Sequence, residues 1–335
     1  MNINIKDLKS SFNNFINHNI LIIGDVMIDS YLWGKAERIS PEAPVPVVSV
    51  KERQQRLGGA ANVALNIQSL GATPILCSVI GNDYKGNEFL QLLADNNMTA
   101  DGIVASNDRI TTTKYRIIAN SYHMLRVDEE NDEQLNSNDH QRFVEKVIEL
   151  ISLHQISAII FEDYDKGVLS SNSIKTIIDF ANKKGIPTVV DPKKRNFSEY
   201  KNATLFKPNL KELKEGLKID NIDINTESLT NASESLFQLL NNKFTLITLS
   251  EKGVFIRNNE TKTQMLIPAH IRNIADVSGA GDTVISVVAL LIASNYDVFS
   301  TAAISNLAGG LVCEEVGVVS INKEKLIEEA EKNIN

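Results

Sequence analysis

The sequence predicts an α/β protein: a doubly wound, mostly parallel sheet with a small inserted β lid. Three observations carry that expectation. Short runs of Val, Ile and Leu alternate with amphipathic helical patterns along most of the 335 residues. Those runs are continuous rather than alternating, as strands covered on both faces require. Two stretches, 31–56 and 103–127, break the rhythm with β-branched residues and no helical period.

The elements follow in order. Ile20-Leu21-Ile22-Ile23 stops at Gly24, and a helical pattern covers 60–70. A strand over 74–80 stops at Gly81 before a helix over 86–96. A helix over 139–154, a strand over 157–161 and a helix over 170–184 come next. Strands at 187–190 and 204–206, a helix at 228–241 and a strand at 245–249 complete the alternation, and apolar helices over 283–293 and 301–313 close it. The first irregular stretch holds Pro41, Pro44 and Pro46, and the second holds Ile110-Thr111-Thr112-Thr113. Loops of that length are uncommon in compact domains, so both read as strands of one separate sheet. The expected division is a core of 1–30, 57–102 and 128–335 and a lid of 31–56 and 103–127. Ligands of such sheets bind at the carboxyl ends of the strands, where Gly24-Asp25, Gly81, Asp163 and Asp191-Pro192 fall.

Composition narrows the function. Hydrophobic residues make up 43% and charged residues 23%, ordinary for a globular chain of this size. A net charge of −8 weighs against nucleic acid and anionic membrane as partners. Cys77 and Cys313 stand alone, and the five histidines have no metal-ligand spacing, which fits a reducing cytoplasm without a zinc site. The first 19 residues are polar and lack the apolar core of a leader, and no apolar run reaches membrane-spanning length.

Asp276-Val277-Ser278-Gly279-Ala280-Gly281-Asp282 is the most telling segment. Two glycines around an alanine leave three consecutive N–H groups uncovered at the start of a buried helix, an anion site with dipole support. Asp282 can reach whatever the anion is attached to. A cradle beside a carboxylate suits phosphoryl transfer to a hydroxyl, although a helix start with a first-turn charge gives the same letters. Gly58-Gly59-Ala60-Ala61-Asn62 permits close backbone approach, with Asn62 offering a donor and an acceptor; a glycine turn near a helix cap is the alternative. Asp29, five positions after Gly24, is a ligand carboxylate or a loop charge. Asn209 and Glu212 have the spacing of a capping box.

The Gly279–Asp282 segment resembles the C-terminal signature of the ribokinase-like (PfkB) sugar kinases. Gly58-Gly59-Ala60-Ala61-Asn62-Val63-Ala64 resembles their N-terminal signature, and 220 positions separate Asn62 from Asp282. The resemblance implies that Asp282 is the catalytic base, with Gly279, Ala280 and Gly281 as the anion hole. It implies sugar contacts at Asp29, Gly58, Gly59 and Asn62. Asn209 and Glu212 would organise Mg2+ through water. Asn209, Thr248, Ser250, Gly253, Gly279, Gly281 and Asn306 would serve ATP, although Ser250 stands where the family has glycine. Asp276 would belong to a site for a monovalent cation such as K+. The lid would cover the sugar and join two copies as a homodimer.

Further segments narrow the family. The run from Arg38-Ile39-Ser40-Pro41-Glu42 to Val47, Thr111-Thr112-Thr113-Lys114-Tyr115-Arg116, Asp163-Tyr164-Asp165-Lys166-Gly167 and Asp191-Pro192-Lys193 resemble bacterial heptose-7-phosphate kinases, the kinase half of bifunctional heptose kinase/ADP-heptose synthases. That implies ATP-dependent phosphorylation of C1 of D-glycero-D-manno-heptose 7-phosphate. A substrate already phosphorylated needs cations. Arg38, Lys114, Arg116 and Arg126 fall in the lid, and Lys166 and Lys193 follow core strands. A subset of Arg116, Lys166 and Lys193 is expected to hold the phosphate, with solvated lid charges as the plain alternative. No H-x-G-H motif occurs, so a separate nucleotidyltransferase is expected in the pathway. A kinase for fructose phosphate or ribose, or a non-catalytic sugar- or nucleotide-binding protein, remains the competing reading.

Overall fold

The computed structural model describes residues 8–120, 122–270 and 272–333. The first seven residues, part of the segment read above as lacking a leader, lie outside the described residues. In chain order the elements begin with α1 (Leu8–Asn14), β1 (Asn19–Gly24), β2 (Val26–Ile39), β3 (Pro46–Gly59), α2 (Ala60–Ser69), β4 (Thr73–Gly81), α3 (Tyr84–Asp95) and β5 (Ile103–Ser106). Then come β6 (Thr113–Ala119), β7 (Tyr122–Glu129), α4 (Ser137–Leu153), β8 (Ile156–Glu162), α5 (Ser171–Lys184), β9 (Thr188–Asp191) and β10 (Leu205–Phe206). The last are α6 (Leu210–Leu217), α7 (Thr226–Leu240), β11 (Phe244–Thr248), β12 (Val254–Asn258), β13 (Thr263–Ile267), α8 (Ala280–Ala293), α9 (Val298–Val312) and α10 (Lys323–Asn333).

One sheet has the order β13-β12-β11-β10-β9-β8-β1-β4-β5. It is parallel from β5 to β11 and ends in an antiparallel hairpin, β12 and β13, that the sequence reading left out. Successive side chains of a strand point to opposite faces, and the core divides accordingly. Ile20 and Ile22 pack with Ala158 and Ile160 against α2, α8 and α9. Leu21 and Ile23 pack with Ile159 and Phe161 against α4, α5 and α7. The chain runs outward from β1 through β4 to β5, then returns to β8 and proceeds the other way. The crevice between β1 and β8 is therefore the switch point at which such sheets place ligands.

The second sheet has the order β3-β2-β6-β7. Its strands reach beyond the expected lid of 31–56 and 103–127. Strand β2 starts at Val26, only one residue after β1, and β3 runs to Gly59 at the first residue of α2. Asp29, Gly58 and Gly59 thus sit on lid strands, with Asp29 opposite Arg56 and Met27 opposite Gly58. In the other direction, Ile103–Ser106 pairs with β4 at the edge of the large sheet rather than joining the lid. A β-branched, helix-free stretch looks the same in sequence whichever sheet completes its hydrogen bonds.

Candidate active site

The carboxyl ends of β1, β8 and β9 and the amino end of α8 meet around Asp282, which is 6% exposed. Its Oδ2 accepts from Asn62 Nδ2 at 2.6 Å, and its Oδ1 accepts from Tyr164 O–H at 2.9 Å. Both Asp282 oxygens are thus engaged by side chains from outside its own helix, in whose first turn it lies. Gly279, the N-cap, has φ +79°, and a Cβ there would come within 3.1 Å of Asn62 Nδ2. Glycine allows Asn62 to reach Asp282. First-turn N–H groups have no intrahelical acceptor, and those of Gly281 and Asp282 have none elsewhere among the described residues. The Ala280 N–H turns back to Val277 O at 3.4 Å, so of the expected donors Gly279, Ala280 and Gly281 one is loosely engaged, and the Asp282 N–H adds a further open one.

Burial pushes the Asp282 carboxyl up to about 6. The hydrogen bonds from Asn62 and Tyr164 pull against that rise, Asp191 adds to it and Lys207 opposes it. The last two form a buried ion pair at 2.7 Å. Gly281 leaves its side-chain space open beside them: a Cβ at Gly281 would be 3.6 Å from Asp191 Oδ2 and 3.8 Å from Lys207 Nζ. An ammonium thus lies beside the open amides of the cradle. Glu162, at the end of β8, is 1% exposed, and its Oε2 has no hydrogen-bond partner among the described residues. Burial, then Asp191 and Asp282, hold its carboxyl well above the usual range. Lys207, Tyr164 and Glu162 are not among the expected site residues, and Asp191 is expected only as one of the strand-end residues. Their signal lay in the segments Lys207-Pro208-Asn209 and Asp163-Tyr164, which flank recognised motifs.

The expected sugar side lies on the lid. Asp29, 3% exposed, is ion-paired with Arg116 on the neighbouring strand β6. Gly58 makes room for Asp29, since a Cβ there would fall 2.4 Å from Asp29 Oδ2. Gly59, at φ +60°, lies against the Asp25 carbonyl in the same way. Lys166 Nζ binds Glu130 at 2.8 Å, and Lys114 binds the other oxygen of Glu130 at 3.0 Å. Lys193, like Arg116 and Lys166, is paired with a carboxylate, but on the other side of the site. It lies 2.6 Å from Glu212 Oε1 and 5.3 Å from the centre of the Tyr164 ring, so it joins the Asn209–Glu212 helix to Tyr164. Burial pulls the Lys193 ammonium down, but Asp191 and Glu212 outweigh it and raise it.

On the expected nucleotide side, the capping box is complete. Asn209 Oδ1 accepts from Glu212 N–H at 2.8 Å, and Glu212 Oε2 accepts from Asn209 N–H at 2.9 Å. These are hard oxygen donors, each engaged once and with lone pairs left for a metal-bound water, which fits Mg2+ held through its hydration shell. Thr248 bridges to Asn209 at the end of β11. Beyond it Ser250, at φ +53°, and Gly253, at φ +95°, shape a tight turn. A groove of about 690 Å³ runs between this turn and α6, lined by Asn209, Lys211, Lys214 and Ser250 among others. Asn306 donates to Pro268 O at 2.9 Å, fixing the segment after β13. Asp276 accepts from the N–H groups of Ser278 and Gly317, each at 3.0 Å, and so ties the α8 entry to the segment after α9. Burial raises the Asp276 carboxyl, and those backbone donors more than offset it, leaving it below the usual range.

Residues 17–325 match the family model described as pfkB family carbohydrate kinase. The chain belongs to this family. It is an ATP-dependent carbohydrate kinase, and the ribokinase-like fold expected from sequence is the one observed. The kinase is 38% identical over 310 residues to the bifunctional protein HldE of Aliarcobacter butzleri, covering 92% of this chain and 64% of that one. It is 39% identical over 316 residues to the HldE of Sulfurimonas denitrificans, covering 94% and 65%. The kinase thus spans just under two thirds of these relatives' length. Among solved structures it is similar to Escherichia coli phosphofructokinase-2 in complex with potassium, with TM-score 0.76 and 18% identity over 94% of this chain and 99% of that one. Arabidopsis thaliana ribokinase complexed with ribose and ATP gives TM-score 0.71 and 16% identity over 93% and 99%. These two likenesses concern the fold. Among the described residues, no helix of the kinase is long and apolar enough to cross a membrane.

Proposed function

We propose that the kinase phosphorylates the C1 hydroxyl of D-glycero-D-manno-heptose 7-phosphate with ATP, giving the 1,7-bisphosphate that serves as an ADP-heptose precursor. The observation that carries the chemistry is a buried carboxylate, Asp282, beside the open amides of Gly281 and Asp282 and the Lys207 ammonium. In this reading Asp282 takes the hydroxyl proton, the freed oxygen bonds to the γ-phosphorus, and the bridging oxygen leaves with ADP. The cradle and Lys207 face the charge that spreads over the transferred oxygens. Mg2+, held through water by Asn209 and Glu212, would neutralise the ATP phosphates. Asp276 would order a monovalent-cation site at the α8 entry. Thr248, Ser250, Gly253 and Asn306 would border the nucleotide.

The choice of sugar rests on the lid segments shared with heptose-7-phosphate kinases and on the HldE relatives. Cation supply agrees. Arg116 and Lys166 would exchange Asp29 and Glu130 for a substrate phosphate, whereas Lys193 is paired with Glu212. A homodimer through the lid is supported by the open edge of β7 and the exposed Tyr122, Leu125 and Val127 along it. Adenylyl transfer to the product is assigned to a nucleotidyltransferase outside these 335 residues, and the reaction to the cytoplasm. The deciding experiment offers ATP with the heptose 7-phosphate, its unphosphorylated form, fructose 6-phosphate and ribose. Expected is a large preference in kcat/KM for the heptose 7-phosphate, with the new phosphate on C1. Preference for any other sugar overturns the assignment.

A further inference from the structure

The segment between β8 and α5 is held by two buried carboxylates from below. Asp25, one residue past β1 and 1% exposed, accepts from the N–H groups of Tyr164 at 2.9 Å and of Lys166 and Val168 at 3.1 Å each. Asp163, fully buried, accepts from Asp165 N–H at 2.9 Å, Tyr200 O–H at 2.7 Å and Asn196 Nδ2 at 3.0 Å. The backbone so held is not a relaxed one. Asp165 has φ +56° and Gly167 φ +85°, and a Cβ at Gly167 would come within 1.9 Å of Glu133 O. A turn pinned on both sides in this way aims whatever side chain it carries. Here the side chain is Tyr164. Its hydroxyl reaches Asp282 Oδ1 while Asn62 takes Oδ2, so one donor sits on each oxygen of the base.

We propose that Tyr164 is a positioning residue for phosphoryl transfer, its phenol fixing the plane of the Asp282 carboxylate from the turn that Asp25 and Asp163 hold rigid. The proposal rests on Asp282 being the base. A carboxylate with both oxygens engaged by neutral donors keeps one orientation and still has lone pairs for the incoming hydroxyl. The donors also set its proton affinity. Asp282 is faced by Asn62 from α2, Glu162 from β8, Tyr164 from the turn, Asp191 from β9 and Lys207 beyond β10. Burial raises it, and Asn62, Tyr164 and Lys207 oppose that. Without the phenol, Asp282 would protonate at higher pH.

The test is Tyr164→Phe, which removes one oxygen and keeps the ring under Lys193. Expected are a fall in kcat of roughly ten- to a hundredfold, little change in KM for sugar or ATP, and an acid limb of the kcat profile displaced to higher pH. Incorporation of a fluorinated tyrosine at 164, a stronger donor, should displace the limb the other way. A kcat and acid limb equal to wild type overturn the proposal. A fall in activity with lower thermal stability but an unmoved limb also overturns it, because that marks a structural role. The profile is read with whichever sugar the wild-type enzyme turns over, so a wrong sugar assignment leaves this test standing. Should no sugar be turned over, the carboxyl 13C signal of Asp282 in wild type and Tyr164→Phe reports the same displacement without turnover, and its absence overturns the proposal. If Tyr164→Phe does not fold, the fluorinated variant alone decides.

Discussion

The kinase has two charged regions, and they differ in burial more than in charge. At the switch point, Asp282, Asp191, Lys207 and Glu162 are each 6% exposed or less. Where the lid meets the turn after β8, the side chains of Lys114, Asp128, Lys166 and Glu130 keep between 14% and 27% of their exposure. Removing water is costly for a charge and makes every remaining interaction stronger, so the buried region holds each group in one place. The lid charges are screened, and Glu130 already shares itself between two lysines. The lesson is a division of labour. On the proposed function, a fixed field would suit the reacting atoms, and exchangeable ion pairs would suit a substrate phosphate that must enter and leave. Each lid cation can trade its carboxylate for the ligand's oxygens.

Five single substitutions can break or sharpen this contrast. The largest effect should come from Asp282→Asn, with kcat reduced roughly 10²- to 10⁴-fold while sugar binding, followed by calorimetry, survives. The same change should raise stability at neutral pH. Because the folded protein holds the Asp282 proton up to about pH 6, against about 3.8 for the free group, its favourable contribution is complete below pH 4. That contribution is lost as pH rises towards 6, so ionised Asp282 costs about 3 kcal/mol at pH 7 and above. Thermal unfolding should show Asn gaining at pH 7.5 and matching wild type near pH 3.5. Wild-type kcat should fall as pH drops through 6, and a flat profile would remove Asp282 from the role of base.

Next in size is Lys207→Met, which strands Asp191 without its partner and should cost about 3–5 kcal/mol in denaturant unfolding. Adding Asp191→Leu should restore stability but not turnover. If the single variant is as stable as wild type, the contrast between buried and lid charges fails. Lys166→Ala probes the other side. Glu130 keeps Lys114, so stability should barely move, whereas KM for the phosphorylated heptose should rise by about 1.5–3 kcal/mol in binding terms. The unphosphorylated sugar and ATP should be indifferent. Arg116→Ala should add a stability loss, because it leaves buried Asp29 unpaired. An effect of Lys166→Ala on ATP instead of sugar would move that lysine to the nucleotide. The smallest effect is expected at Ser250, whose φ of +53° glycine tolerates freely. Ser250→Gly should stabilise the turn by about 1 kcal/mol, read as a higher melting temperature, with kcat unchanged.

Much of this could be read before any coordinates. Continuous apolar runs gave β1, β4, β8, β9 and β11, because strands buried on both faces tolerate little else. Gly279 and Gly281 announced their cradle, since few other residues fit a left-handed N-cap or an open approach. What stayed hidden depended on neighbours far along the chain. Ile103–Ser106 reads alike for either sheet, and the hairpin β12–β13 carries no distinctive period. Lys193 looked equivalent to Lys166, yet only the packing shows one turned to Glu212 and the other to Glu130.

The sequence by itself determined the fold class and pointed to the Gly279–Asp282 segment as the candidate site. These depend on local rules: side-chain period, glycine conformation and the spacing of residues around one helix end. Only the tertiary structure decided that Tyr164 and Asn62, from opposite sides of the switch point, each take one oxygen of Asp282. It alone made Asp191 and Lys207 a buried pair beside Gly281. The reason is physical. Burial and pairing of a charge are properties of the space where distant segments meet, and no residue's own letter or near neighbours carry them.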